Sequence, residues 1–168
     1  HRLDAFLIGI ALLVQFSFSL AWRRNLPNWL PWVYGSLVLL VGFQGALGAL
    51  TVLQLLPSLV VIAHLAVALI LVGGMSSLTQ FLMSSNSGNS PFWWRCLGVS
   101  SLVAVFSQSL LGSRMATTWA AQSCIHQGTT CLWLDIHRFT AIPVAILVLV
   151  FVFTSICAGG WPRTQWPF

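Results

Sequence analysis

The chain has 168 residues, of which 58% are hydrophobic and only 5% charged, with a mean hydropathy of +0.91. So little charge excludes a water-soluble domain of this size and fits a bundle solvated by lipid. The net charge of +5 comes from seven arginines against two aspartates, a set too sparse for a nucleic-acid surface, so its use is topological.

A membrane-spanning helix needs roughly 20 mostly apolar residues to cover about 30 Å of hydrocarbon. Five stretches qualify. The first runs from about Leu3 to Trp22, directly after His1-Arg2. This opening lacks the pattern of a cleavable signal, so the start reads as internal, with further sequence upstream. The basic turn Arg23-Arg24-Asn25-Leu26-Pro27-Asn28 leads to the second span, Leu30 to Leu53. A tight turn ending at Pro57 opens the third, Pro57 to Leu82, since proline suits a first helical turn. The polar stretch Ser84 to Pro91 is a flexible loop. The fourth span covers Cys96 to Ser113 and the fifth Leu134 to Ala158, with the loop Arg114 to Trp133 between them. Their continuous apolar character excludes the alternation of a membrane barrel. The predicted class is an all-α polytopic transmembrane helix bundle.

Arginine positions orient it. The side with loops one and three and the C-terminus carries Arg23, Arg24, Arg95 and Arg163 and no acid. The other carries Arg2, Arg114 and Arg138, offset by Asp4 and Asp135. The positive-inside rule puts the C-terminus on the cytoplasmic (or stromal) side of a bacterial inner or thylakoid membrane. Most of the tryptophans, Trp22, Trp29, Trp32, Trp93, Trp94, Trp161 and Trp166, fall on that same edge, as an interfacial belt requires.

Three histidines then belong to the outer half of the membrane. His1 and His137 open the first and fifth spans, each followed by arginine, and His64 lies inside the third. His64 reads either as a core histidine bonded to a neighbour or as an axial ligand of haem iron. Histidines at one depth on alternate helices suit a macrocycle held in a slot of the bundle, with His1 and His64 as the natural pair. Arg2 and Arg138 either mark helix ends or bind haem propionates through their guanidinium forks. Asp4, one turn from His1, is placed to orient a ring N–H or to pair with Arg2. Pro143 removes a backbone hydrogen bond to Phe139, which either bends the fifth span near His137 or is simply tolerated.

Cys124 and Cys131 flank a hexapeptide in the outer loop, the oxidising side of a bacterial inner membrane. A disulfide there stabilises by about 2–3 kcal/mol on the chain-entropy model, and two free thiols are the alternative. Gly42, Gly45, Gly48, Ala46 and Ala49 permit close helix contact along the second span. Gln44-Gly45-Ala46-Leu47-Gly48 and Gln108-Ser109-Leu110-Leu111-Gly112 share Gln-x-x-Leu-Gly, which with the doubled His-Arg points to a duplicated bundle.

These stretches, with the connector Arg23 to Trp32, Ala63-His64-Leu65, the cysteine loop and His137, resemble the haem A synthase family in order and spacing along essentially the whole chain. That resemblance implies two similar four-helix halves, the five spans being helices two to six. Residues 1–83 would form the second to fourth helices of the N-terminal half and 84–94 a cytoplasmic-side linker. Residues 95–168 would form the first two helices of the C-terminal half, with the outer cysteine loop over 114–133. The resemblance makes His1 and His64 one ligand pair and His137 half of another, whose partner lies on an eighth helix. It also matches Cys124 and Cys131 to the family's outer-loop cysteine pair. The family's first helix and the glutamate three residues before its first histidine would precede His1, and its last two helices would follow the chain. The implied reaction oxidises a methyl group of haem O, by successive hydroxylation, to the formyl group of haem A. The implied cofactor is haem B, and a haem O synthase or other membrane subunits are the implied protein partners, beside lipid and the tetrapyrrole. The alternatives are a haem- or chlorophyll-binding subunit without catalysis and a purely structural subunit whose histidines bond to neighbours.

Overall fold

The computed structural model describes residues 2–55, 57–83, 91–116, 126 and 132–157. Among the described residues five long helices follow one another: α1 (Arg2–Ala21), α2 (Leu30–Leu53), α3 (Ser58–Met83), α4 (Phe92–Ala116) and α5 (Leu132–Cys157). All five are long and apolar enough to cross a membrane. The all-α class is therefore observed, and the chain is a multi-pass membrane protein.

Proline sets three helix starts. Pro31 lies in the first turn of α2, where its missing N–H is no loss. The Pro57 carbonyl accepts from the Val60 and Val61 amides at 3.0 and 3.1 Å, opening α3. Likewise, the Pro91 carbonyl accepts from Trp94 and Arg95 at 3.2 Å. That last start is four residues earlier than Cys96, the predicted beginning of the fourth span. The interfacial pair Trp93-Trp94 continues the helix outward because an aromatic belt needs no break in the backbone. α5 similarly begins at Leu132 and runs unbroken through Pro143 to Cys157. Between α2 and α3, Leu55 takes a left-handed backbone (φ 57°), the conformation that ends helices but normally falls to glycine.

Two compact units divide the chain, His1–Gly74 and Met75–Phe168. In the first, α1 and α2 pack antiparallel. Gly9 faces Val41 near one end of the pair, and Gly35 receives the Phe16 ring toward the other. α2 and α3 are antiparallel too, Gly48 facing His64 and Gly74 facing Leu37. In the second unit α4 and α5 run antiparallel, fixed at two levels. At the lower level Gly98 receives Phe151, Trp94 and Phe151 rings lie 5.3 Å apart, and Trp94 Nε1 donates to Ser155 Oγ at 3.1 Å. Gly112 and His137 form the other level.

The buried serine hydroxyls of these helices are satisfied locally, as hydrocarbon demands. The buried serines Ser19, Ser101 and Ser155 each donate to a carbonyl one turn back, at 2.7, 2.8 and 2.7 Å. Large apolar side chains such as Leu39, Phe92 and Phe139 are exposed and meet lipid.

The tightest of these contacts makes a simple prediction. A methyl at Gly98 would lie 3.0 Å from Phe151 Cε2, so Gly98→Ala must displace the ring, at about 1–3 kcal/mol. Gly73 has nothing within 4 Å, so Gly73→Ala should be neutral or stabilising. Thermal unfolding in detergent should show a lower midpoint for the first variant only.

Candidate functional site

His64 is the seventh residue of α3 and His137 the sixth of α5. Each therefore sits about 8–9 Å along the axis from its helix start, well inside an apolar segment. Both are half-buried, and both meet the same pair of residues on the preceding helix.

In the first unit, Gln44 Nε2 donates to the His64 carbonyl at 3.0 Å and lies 3.4 Å from His64 Nε2. One turn further along α2, Gly48 receives the ring: a methyl there would be 3.2 Å from His64 Cε1. In the second unit, Gln108 Nε2 donates to the His137 carbonyl at 2.8 Å. Gly112, again one turn on, would place a methyl 3.1 Å from His137 Cε1. Both rings thus present the same edge, Cε1 first, to a glycine. The helical carbonyl keeps a second lone pair after its backbone bond, so the glutamine amide needs no break in the ladder.

The two arrangements differ at one residue. Gln108 Oε1 accepts from Thr140 Oγ1 at 2.8 Å, and the same hydroxyl lies 2.7 Å from the Ile136 carbonyl. Thr140 stands three residues after His137. Three residues after His64 stands Val67, which has no hydroxyl to offer. Gln44 Oε1 is accordingly buried without a hydrogen-bond partner. The Nδ1 atoms of His64 and His137 are buried and unpartnered as well, so each imidazole carries a nitrogen that no described protein group satisfies.

The glutamines and glycines were visible in the sequence only as a repeat and as small residues for helix contact. Their relation to the histidines was missed, and so was Thr140. The available signal was that each Gln-x-x-Leu-Gly precedes an intramembrane histidine on the next helix. Loop length disguises it, since the separations are 20 and 29 residues.

The other predicted residues are placed less closely. Arg138 is exposed on α5 beside His137. His1, the side chain of Arg2, and Cys124 and Cys131 with their expected disulfide lie outside the described residues. Asp4 is exposed in the first turn of α1, and Cys96 and Cys157 are free thiols. Arg114, two residues beyond Gly112, stacks its guanidinium 4.2 Å from the Trp133 ring, one turn before His137. That cation–π contact ties the ends of α4 and α5 beside the histidine. Among the described residues, no three His, Cys, Asp or Glu side chains gather to hold a free metal ion.

Residues 1–166 match the cytochrome oxidase assembly protein family, COX15-CtaA. The chain belongs to this family. It is 32% identical over 124 residues, 69% of its length, to the heme A synthase of Sphingopyxis alaskensis. It spans about a third (35%) of that relative's length. No solved structure matches. The resemblance to haem A synthases is thus supported by both comparisons.

The Thr140 difference is testable by exchange. Thr140→Val should leave Gln108 Oε1 unsatisfied and lower stability by about 1–2 kcal/mol. Val67→Thr should do the reverse in the first unit, giving Gln44 Oε1 a donor. Unfolding midpoints of the two variants in detergent should move in opposite directions.

Proposed function

We propose that this chain forms the central helices of a haem A synthase, a membrane oxidoreductase that converts the methyl group of haem O to the formyl group of haem A for cytochrome oxidase assembly. His64 and His137 serve as axial ligands of haem iron, His64 paired with His1 and His137 with a histidine outside this chain. Family membership and the likeness to a heme A synthase support the reaction. The observation that carries the ligand assignment is the buried, unpartnered imidazole nitrogen in each helix pair. An ionisable ring kept inside a membrane helix without a hydrogen-bond partner for Nδ1 is costly, and such residues are ordinarily retained for a function, which favours the ligand role.

The residues fit such a group. A neutral imidazole is the donor that haem iron takes, and the described hydrogen-bond partners near the rings are the glutamine amide and, in the second unit, Thr140. When bound, haem supplies the redox chemistry and, as haem O, the methyl group that is oxidised. The protein's own part is to hold the rings, exclude water and neutralise the propionates. Arg2 and Arg138, each next to a ligand, fill the last role. With four arginines on the side of loops one and three and the C-terminus, that side is the cytoplasmic one of a bacterial inner membrane. The Cys124–Cys131 disulfide then closes the outer loop.

Purified full-length protein should give a haem difference spectrum on reduction, and extraction should yield haem B together with haem O or haem A. His64→Ala and His137→Ala should each lose the haem of one site while the other remains. Unchanged haem content in both variants, or a protein that carries chlorophyll alone or no pigment, would rule the reading out.

A further inference from the structure

The same four-residue device holds an imidazole in two separate helix pairs, and neither the family nor the ligand assignment accounts for it. In α2 and in α4 a glutamine is followed four residues later by a glycine, so both lie on one face, one turn apart. The glutamine bonds the histidine's main-chain carbonyl, at 3.0 and 2.8 Å, and leaves the ring to the glycine. The glycine meets the same ring edge in both units, the built methyl falling 3.2 and 3.1 Å from Cε1. On α2, Gly42 and Gly45 have nothing within 4 Å, so closeness at Gly48 is a property of that position and not of the glycine-rich helix.

Each half of the device constrains a different freedom. The amide fixes where the histidine backbone stands along and around the neighbouring helix. The missing side chain at glycine fixes how far the ring swings toward that helix, because Cε1 already lies within 3.2 Å of where a Cβ would be. Together they define the plane of the imidazole with, among the described residues, no bond to either ring nitrogen in the second unit and only a long 3.4 Å contact in the first. A ring held this way has its rotation set mainly by packing rather than by short bonds to its nitrogens.

We propose that Gln44 with Gly48, and Gln108 with Gly112, are positioning residues that set the imidazole planes of His64 and His137 for axial ligation. This rests on the ligand reading above and adds to it the origin of ring orientation. The orientation of an axial imidazole over a macrocycle governs the anisotropy of the low-spin ferric signal and contributes to the reduction potential, along with hydrogen bonding around the ligand. Both quantities respond to rotation of a ring that is still bound.

The test is electron paramagnetic resonance and redox titration of the full-length protein in detergent, with haem content measured in parallel. Gly48→Ala and Gly112→Ala should each keep haem but shift the low-spin signal and midpoint potential of one haem, a different one in each variant. Gly42→Ala and Gly45→Ala should leave both signals in place. If the added methyl prevents insertion, Gln44→Met and Gln108→Met keep the side-chain length, remove the amide donor and should produce the same site-specific shifts. Signals identical to the unmodified protein in the glycine and glutamine variants, while His64→Ala and His137→Ala lose haem, would overturn the positioning role and leave the ligand reading standing. Retention of all haem in the histidine variants would overturn both.

Discussion

A glutamine amide inside hydrocarbon has to find its partners within the bundle, and here it finds a carbonyl on the next helix. Water is absent at that depth, and an unsatisfied amide costs more than a mismatched apolar contact. The histidine's carbonyl is available because a helical C=O has a lone pair beyond the one its own ladder uses. Gln44 to His64 and Gln108 to His137 are therefore bonds that fix the register of two helix pairs. A slip of one residue along either helix would break the bond and drive the imidazole into the backbone of its neighbour.

Glycine makes that register possible at both ends of the second pair. Gly98 and Gly112 are fourteen residues apart on α4, and so are His137 and Phe151 on α5. Fourteen residues are close to four full turns, which returns each helix to the same face. One level receives a phenyl ring and the other an imidazole, against the same absence of a side chain. The interhelical driving force in lipid is close packing more than hydrophobic burial, so aromatic rings seated on glycine do the work that a large apolar core does in water.

Composition and apolar runs made the helical class and the number of spans legible, because the length needed to cross hydrocarbon leaves little choice. Helix ends were less so. Trp93 and Trp94 read as interfacial anchors outside the fourth span, whereas α4 begins at Phe92 and includes them. Hydropathy falls at the interface before the helix does. His64 and His137 were legible as candidates since a titratable side chain in an apolar run has few bland explanations. Gln44, Gly48, Gln108 and Gly112 appeared as a repeat without a purpose, because the residues they serve lie across a loop of unequal length. Thr140 gave no signal at all: a threonine in an apolar helix ordinarily bonds its own preceding turn, and Thr140 does this as well as meeting Gln108.

The recurring element is smaller than a four-helix half. α2 with α3 and α4 with α5 are consecutive hairpins, and each has glutamine and glycine on its first helix and histidine on its second. Each such hairpin provides one held imidazole. The copies need not stay equal. Thr140 closes the second glutamine into a bonded loop, whereas Val67 leaves the first with a free carbonyl oxygen beside its imidazole. Two copies of one scaffold thus differ in how the glutamine beside the histidine is bonded. The first copy keeps an unmet acceptor at Gln44 Oε1, and in the second the bond from Thr140 removes it.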